Sequence, residues 1–318
     1  MTRKILVVQD ITETHEKQIR SIAREWELVH GKDEEKWQPH VADAEIIVGW
    51  HSSLAKECLQ PDTALRWIQN WGAGVDNMPL QGIAEHGVIL TTTSGVHPNP
   101  ISESIFAMML GLTRKVHIAI RNQLQHKWVR YNDLGEVHGK TIAIIGAGSI
   151  GLEVAKLSKV FGMTVLGVKR TLSESVYVDR MVTMDGLNEV LSESDYVVVT
   201  LPHTAETHHI IGREQFAAMK PNAYYINIGR GGTTDTAALI EALQSGSIAG
   251  AGLDVFEVEP LPADNLLWDM ENVIITPHNS GVTEYYQERA MQIFLRNLRD
   301  YTEGREPQLN RVDFKNQY

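Results

Sequence analysis

The sequence lacks the features that mark secreted and membrane proteins. Cys58 is the single cysteine among 318 residues, so no internal disulfide can form and a reducing compartment is favoured. No apolar stretch approaches the ~20 residues that a membrane span needs. The short apolar run at residues 4–8 is followed at once by acidic residues, which is typical of a first β-strand and not of a signal peptide. We therefore expect a soluble, cytoplasmic protein.

Positive charge and metal-ligand clusters are also scarce. The chain carries 29 Lys and Arg against 40 Asp and Glu, a formal net charge of −11. This balance disfavours non-specific nucleic-acid binding and adsorption to an anionic membrane, so we expect neither partner. His208 and His209 have no third ligand at useful spacing, and we expect no metal. A small anionic ligand stays compatible with the composition, because a few local cations can dominate a pocket.

Short apolar runs alternate with helical segments along the whole chain. In the first third these runs are KILVVQD, EIIVGW, LRWIQNW and VILTT. Further on they are TIAIIG, TVLGVKR, YVVVTLP, YYINIG, IAGAGLDVF and VIITPH. Strands that are buried on both faces and alternate with helices form parallel sheets covered by helices. The pattern predicts an α/β protein with two doubly wound, Rossmann-like sheets.

Two long helices predict how the chain divides. One is expected to begin at Asn99-Pro100, with Asn99 as its cap, and to run to about Lys127. The other is expected over roughly Thr283 to Glu303. If both cross between domains, residues 1–97 and 284–318 form a discontinuous substrate-binding domain, and 98–283 form a dinucleotide-binding domain. Such folds bind ligands in a cleft, which we expect between the two domains.

The strongest local motif is TIAIIGAGSIG, in which Gly146, Gly148 and Gly151 close a strand and open a helix. This context is the dinucleotide-binding fingerprint. The amides of Ser149 and Ile150 are then expected at a helix N-terminus, where partial positive charge favours phosphate. The alternative is a plain strand–turn–helix with glycines for packing. The candidate packing positions of the helix are Leu152, Ala155, Leu157 and Val160.

The end of the next strand indicates which nucleotide is bound. An NAD site usually offers an acid about twenty residues after the glycines, whereas this chain offers Lys169 and Arg170, followed by Thr171 and Ser173. Cations and hydroxyls suit a 2′-phosphate, so we predict NADPH. The alternative is that Lys169 and Arg170 are ordinary solvated charges and that NAD is used.

Three residues after later strands have the chemistry of 2-keto acid reduction. Arg230 offers a planar donor fork for a carboxylate, and His278 is an acid that titrates near neutral pH. Glu259 is a carboxylate that can orient the imidazole and favour its charged form. Because strand ends converge at one edge of a doubly wound sheet, we expect the three to meet. Singly, they can equally be a turn arginine, a solvated acid and a structural histidine.

With these motifs in place, the chain resembles the D-isomer specific 2-hydroxyacid dehydrogenase family over almost its whole length. NWGAGVDN resembles the family's substrate loop, which implies that the amides of Ala73 and Gly74 hold the substrate carboxylate. By the same resemblance Arg230 binds substrate, and Glu259 pairs with His278, the acid/base. GAGSIG, LPHTAET, NIGRGG, LDVFEVEP and TPHNSG resemble the cofactor and catalytic motifs. They imply cofactor contacts at Gly146, Gly148, Ser149, Ile150, Gly151, Lys169, Arg170, Thr171, Leu201, Pro202, Thr207, Ile228, Gly229, Asp254, Ser280 and Gly281.

The sequence departs from the family pattern at three places. NAD-dependent members carry an acid where Lys169 stands, and its absence is similar to the NADPH-linked glyoxylate/hydroxypyruvate reductases. Many members have histidine at the position of Thr200, and small apolar residues where Asn279-Ser280 follow His278.

The resemblance also implies an oligomeric state. It implies a homodimer built partly on the helix after Asn99, in which the aromatic side chain of Trp128 can reach the active site of the partner subunit.

The prediction is an NADPH-preferring enzyme that reduces a small 2-keto acid, of the glyoxylate or hydroxypyruvate type, to the D-2-hydroxy acid. Within enzymes, the alternative is an NAD-dependent D-2-hydroxyacid dehydrogenase such as a short phosphoglycerate or D-lactate type. From a different class, the alternative is a nucleotide-sensing corepressor or scaffold. An intact Arg230, Glu259 and His278 set disfavours this last reading.

Overall fold

The computed structural model describes residues 3–75 and 77–315 and divides the chain into two compact α/β units. The first unit comprises the residues up to Val96 together with those from Thr283 onwards, and the second comprises His97–Val282. Each unit contains one sheet, of five and of seven strands, and the paired strands are parallel. The predicted class of two parallel-sheet α/β domains is confirmed.

The first unit alternates strands with short helices and adds the last helix of the chain. Its sheet has the order β2-β1-β3-β4-β5. Its strands are β1 (Lys4–Val7), β2 (Glu27–His30), β3 (Ile46–Val48), β4 (Trp67–Gln69) and β5 (Ile89–Thr91). Its helices are α1 (Glu13–Ile22), α2 (Glu34–Trp37), α3 (Ala55–Cys58), α4 (Leu80–Glu85) and, at the end of the chain, α11 (Tyr286–Thr302).

The strands of the first unit are buried on both faces because successive side chains alternate between two cores. One core contains Leu6 and Ile47 together with Cys58, which is fully buried as its apolar surroundings suggest. The other contains Ile5 and Val7 and is covered by the apolar face of α11. Continuous apolar runs such as KILV therefore reflect burial on two sides.

The second unit contains the seven-stranded sheet, in the order β12-β11-β10-β9-β6-β7-β8. Its strands are β6 (Thr141–Ile145), β7 (Thr164–Val168), β8 (Arg180–Val182), β9 (Tyr196–Val199), β10 (Tyr224–Asn227), β11 (Gly250–Leu253) and β12 (Val273–Ile275). Its helices are α5 (Pro98–Thr113), α6 (Val116–Leu124), α7 (Ser149–Val160), α8 (Leu187–Glu193), α9 (Arg213–Ala218) and α10 (Thr236–Ser245). The strand order reverses between β6 and β9, and the carboxyl edge at such a switch point is where doubly wound sheets bind ligands.

The long helix predicted from Asn99 to about Lys127 is wrong in its bounds. Helix α5 begins at Pro98 with His97 in the cap position, and it ends at Thr113. The carbonyl of Thr113, which has no partner in a following helical turn, accepts a hydrogen bond from the amide of Gly135 at 3.2 Å. Lys115 then adopts a left-handed conformation, with φ of 51°, and α6 starts as a separate helix.

Two strands and one packing position also differ from the sequence expectation. The strands β2 and β8 lie at the sheet edges, are only partly buried, and carry no continuous apolar run. Of the predicted packing positions of α7, Ala155 is buried as expected, but Val160 is 80% exposed, and the buried Val154 was not predicted. Within residues 3–75 and 77–315, no helix is long and apolar enough to cross a lipid bilayer.

Candidate active site

The glycine fingerprint lies between β6 and α7, at the switch point of the larger sheet. Gly146 has φ of +104°, which L side chains rarely adopt. A Cβ on Gly151 would lie 2.6 Å from the carbonyl oxygen of Gly146, so only glycine allows this approach of helix to strand. A Cβ on Gly148 would meet nothing within 4 Å, which leaves its backbone open to an approaching group.

The N-terminus of α7 fits a dinucleotide phosphate. Gly148 is its cap residue, and Ser149 and Ile150 are the first two residues of the helix. The first amides of any helix have no partner within the helix and carry partial positive charge. Gly148 and Ser149 are exposed, so these donors face an accessible surface. The chain itself thus offers the cradle that a pyrophosphate needs.

The two predicted phosphate-binding cations lie directly after β7. The ammonium of Lys169 donates a hydrogen bond to the hydroxyl of Ser173 at 3.1 Å. Lys169 is partly exposed, and Arg170 and Thr171 are exposed. A cation and two hydroxyl groups are therefore gathered at this strand end, within one short loop.

The loops after β9 and β10 approach each other closely. Thr207 organises the first loop, since its hydroxyl donates to the carbonyl of Pro202 at 2.7 Å and accepts from the amide of Thr204 at 2.8 Å. A Cβ on Gly229 would lie 2.5 Å from the carbonyl oxygen of Leu201. Ile228 is buried beneath this contact, at 5% exposure. The two loops that carry the predicted contact residues are thus in direct contact.

Arg230 follows β10 and is partly exposed. Its guanidinium donates from Nη1 to the carbonyl of Gly229 at 2.9 Å. Its backbone carbonyl accepts from the Thr233 hydroxyl at 2.7 Å, which holds the turn in place. Arg230 also acts on His97, whose pKa is lowered first by burial and then by the positive charge of the guanidinium. His97 is therefore biased towards its neutral form.

Glu259 and His278 form a direct pair. Oε2 of Glu259 lies 2.7 Å from Nδ1 of His278, and Oε1 accepts a hydrogen bond from the Phe256 amide at 2.9 Å. The side chains remain 35% and 49% exposed, so the pair is open to a ligand. Since Nδ1 faces the carboxylate, the opposite ring nitrogen, Nε2, is the one directed away from Glu259.

Asp254, which follows β11, is buried and organises the turn that carries His278. Its carboxylate accepts hydrogen bonds from the amides of Asn279 and Ser280, both at 3.1 Å, and from the hydroxyl of Thr276. Its backbone carbonyl accepts the amide of His278 at 2.8 Å. His278 has φ of 50°, a strained conformation for a residue with a side chain, and these bonds hold it. Asp254 thereby stabilises the backbone on which the imidazole sits.

Ser280 and Gly281 continue this turn beneath the ring of His97. Ser280 is 4% exposed, and its hydroxyl has no hydrogen-bond partner among the described residues. A Cβ on Gly281 would lie 2.8 Å from Cδ2 of His97. Gly281 is thus packed against the His97 ring, and Ser280 is buried in the same turn.

The loop with Ala73 and Gly74 belongs to the first unit and follows β4. Both residues are exposed. The side-chain amide of Asn70 donates to the carbonyls of Gly72 and Gly74, at 3.2 and 2.8 Å. The loop is therefore held through its carbonyls.

One hydrogen-bonded connection in the second unit, between Glu257 and His209, was not predicted from the sequence. Oε1 of Glu257 lies 2.5 Å from Nε2 of His209, and Oε2 accepts the amide of Thr236 at 2.8 Å. His209 stacks on His208, with ring centroids 3.9 Å apart. The only available signal was the acid that stands two residues before Glu259 in FEVEP. In the described part of the chain, no group of three or more histidine, cysteine and acidic side chains is arranged to hold a metal ion.

The chain is similar to known proteins in sequence and in fold. The sequence model of the family described as "D-isomer specific 2-hydroxyacid dehydrogenase, NAD binding domain" matches residues 106–280, which is more than half of the chain. The chain belongs to this family of oxidoreductases. The second unit, which holds the fingerprint, is accordingly the one that binds a nicotinamide nucleotide.

The relatives with similar sequences include both phosphoglycerate dehydrogenases and glyoxylate reductases. The D-3-phosphoglycerate dehydrogenase of Methanocaldococcus jannaschii is 34% identical over 95% of this chain, which spans 58% of the length of that relative. The glyoxylate reductase of Thermococcus onnurineus is 33% identical over 96% of this chain and 95% of its own length. Among solved structures, the NADPH-dependent glyoxylate/hydroxypyruvate reductase of Sinorhizobium meliloti, in complex with NADP and sulfate, is similar over the full length of both chains, with 26% identity and a TM-score of 0.83.

Proposed function

We propose that this protein reduces a small 2-keto acid, of the glyoxylate or hydroxypyruvate type, to the D-2-hydroxy acid with NADPH as the preferred cofactor. The observation that carries the proposal is the pair of His278 and Glu259, 2.7 Å apart, in the same unit as the nucleotide fingerprint. The similarity to glyoxylate reductases over nearly the whole chain supports the substrate class.

Each proposed catalytic residue has a distinct task. The guanidinium of Arg230 binds the substrate carboxylate and polarises the adjacent carbonyl. His278 donates a proton from Nε2 to the carbonyl oxygen as that oxygen gains negative charge. Glu259 holds the ring through Nδ1 and stabilises its protonated form. The bound nicotinamide supplies the hydride.

The preference for NADPH is proposed from the residues after β7. Lys169 and Arg170 place two cations where an NAD-specific site offers an acid. The hydroxyl of Ser173, already 3.1 Å from the Lys169 ammonium, is a further donor for a 2′-phosphate. A carboxylate there would repel that phosphate.

We also propose that the protein forms a homodimer through α6. Four apolar residues, here called the α6 stripe, are exposed by 48, 53, 78 and 90%. They are Val116, Ile120, Leu124 and Trp128. The first three recur every four residues and share one face of the helix. Contiguous exposed apolar surface on a soluble protein commonly marks an interface, and a second copy is the partner we propose.

The test is to follow the oxidation of NADPH, and separately of NADH, by absorbance with glyoxylate, hydroxypyruvate, pyruvate and a bulky keto acid. Faster turnover with NADPH and a small keto acid is expected. Activity with NADH alone would still support the proposed reduction of a keto acid, but it would contradict the preference for NADPH. If no keto acid is reduced with either cofactor, the proposed reaction is contradicted, and a binding role, as in a nucleotide-sensing corepressor or scaffold, is favoured.

A further inference from the structure

In the loop after β4, three backbone carbonyls are held by donors of the first unit. The carbonyl of Trp71 accepts a hydrogen bond from the hydroxyl of Tyr286. The carbonyl of Gly72 accepts from the Asn70 side chain and from the amide of Thr93, both at 3.2 Å. The carbonyl of Gly74 accepts from the same Asn70 amide group at 2.8 Å. Two side chains therefore hold most of the loop.

These two side chains are themselves anchored. Asn70 is 8% exposed, and its backbone amide donates to the carbonyl of Thr91 on β5 at 2.7 Å. Tyr286 is the first residue of α11, and its hydroxyl lies 3.4 Å from that of the fully buried Thr93. The loop is thus attached to a buried strand on one side and to the start of a long helix on the other.

Holding the carbonyls decides where the amides point. In a planar trans peptide, the carbonyl of one residue and the N–H of the next point in opposite directions. The bonds to the carbonyls of Trp71 and Gly72 therefore direct the amides of Gly72 and Ala73 to the opposite side. The carbonyl of Gly74, which Asn70 also holds, orients the amide of Val75 in the same way. Ala73 and Gly74 are exposed, and no acceptor among the described residues takes a hydrogen bond from their amides.

Successive backbone amides that point outwards from a tight loop form a concave binding site for an anion. We infer that Asn70 and Tyr286 are positioning residues, which help to hold the amides of Gly72 and Ala73 in the arrangement that receives the carboxylate of the keto acid. This inference rests on the proposed function. Neither side chain has to touch the substrate, since both act through the carbonyls behind it.

Tyr286 is suited to this task over the whole neutral range. Burial raises its pKa above the ordinary tyrosine value, and the hydrogen bond with Thr93 offsets only part of that rise. The hydroxyl consequently stays protonated and keeps donating to the Trp71 carbonyl. The contribution of the Tyr286 hydroxyl to the KM for the keto acid should therefore be the same between about pH 6 and 9.

The experiment compares Tyr286→Phe with Tyr285→Phe in the full-length chain. The first substitution removes the hydroxyl that donates to the Trp71 carbonyl, and the second removes the hydroxyl of a neighbour that is 55% exposed. For Tyr286→Phe, the KM for glyoxylate or hydroxypyruvate should rise about fivefold to tenfold, as expected for one lost hydrogen bond that orients donors to an anion. The kcat and the dissociation constant of NADPH should stay within about twofold, because a uniform binding term affects KM alone.

Asn70→Ser is the second variant, since serine is too short to reach both carbonyls. It should raise the same KM further, and hydrogen exchange of a peptide covering residues 70–75 should become faster. Tyr285→Phe should change neither quantity. A KM within about twofold of the unmodified chain in both Tyr286→Phe and Asn70→Ser would overturn the inference. So would a matching loss of kcat and of NADPH binding, which is the sign of general destabilisation. If the unmodified chain reduces no keto acid, the proposed function fails first and this inference fails with it.

Discussion

The carboxylate of Glu259 is held at both oxygens, by Nδ1 of His278 at 2.7 Å and by the amide of Phe256 at 2.9 Å. The second bond fixes the carboxylate to its own loop, so the imidazole has one preferred orientation. That orientation presents Nε2 to a ligand.

Replacing His278 with glutamine should abolish proton donation while leaving the nucleotide site intact. Turnover of the keto acid should fall by about a hundredfold or more, the usual contribution of a general acid. The dissociation constant of NADPH, measured by fluorescence, should stay within about twofold, since the fingerprint at α7 is untouched. His86→Gln is the control, because His86 is an exposed cap residue of α4 in the other unit. Equal losses in both variants would contradict a catalytic role.

Replacing Glu259 with glutamine removes the charge and keeps the shape of the side chain. The amide oxygen can still accept from Phe256, but it no longer stabilises a protonated imidazole. We expect kcat to fall by about tenfold to a hundredfold, with little change in thermal stability. Steady-state kinetics and a melting curve measure the two effects. A kcat close to that of the unmodified chain would show that the pair is structural.

The carboxylate of Glu257 should increase the free energy of unfolding, and the size of this contribution should depend on pH. Burial raises the pKa of its carboxyl, but the hydrogen bonds from Thr236 and His209 outweigh burial and leave the pKa below the ordinary value. Because the pKa is lower in the folded chain than in the unfolded one, the stabilisation is present above the ordinary carboxyl range. It is lost as the pH falls through the folded pKa.

Glu257→Gln should accordingly lower the free energy of unfolding by about 1 kcal/mol near pH 7, because two hydrogen bonds are weakened. The difference from the unmodified chain should shrink towards about pH 3 to 4, where carboxylates become protonated. Denaturant unfolding at both pH values measures this change. The exposed Glu271 offers a matched control as Glu271→Gln, which should have no effect at either pH. A difference that grows on acidification would contradict the assignment.

Lys169→Asp combined with Arg170→Ala should move the cofactor preference towards NADH. Loss of two cations and gain of an acid remove the donors for a 2′-phosphate and repel it. We expect the ratio of kcat/KM values for NADPH and NADH to fall at least about tenfold. Lys156→Asp on α7 reverses a charge in the same unit, where Lys156 pairs with Glu153 at 3.0 Å, and should leave the ratio unchanged. An unaltered ratio in the double variant would rule out the 2′-phosphate assignment.

Introducing negative charges into the α6 stripe by substitution should dissociate the proposed homodimer. Ile120→Glu combined with Leu124→Glu places two carboxylates on surface that would be buried between copies, which is costly. Light scattering after size-exclusion chromatography should then report the mass of one chain, where the unmodified protein gives two. Val160→Glu changes an apolar residue that is equally exposed, at 80%, but lies outside the stripe. It should leave the dimer intact.

Much of the fold could be predicted because it is encoded locally. The run TIAII followed by Gly146, Gly148 and Gly151 specifies strand, turn and the start of a helix within eleven residues. The edge strands β2 and β8 escaped prediction because partly exposed strands do not need continuous apolar residues. The order in which strands join a sheet is likewise absent from any single segment.

The class of the fold, the fingerprint and the chemical types of the candidate residues could therefore be predicted from the sequence alone. Which of these residues touch depends on the tertiary structure. It pairs Glu259 with His278, joins the amide of Gly135 to the carbonyl of Thr113 at the end of α5, and brings the hydroxyl of Tyr286 to the carbonyl of Trp71. The two kinds of information differ in their range along the chain. Apolar periodicity and glycine geometry act between near neighbours, whereas these hydrogen bonds join residues that are distant in sequence and meet only after the sheets have formed.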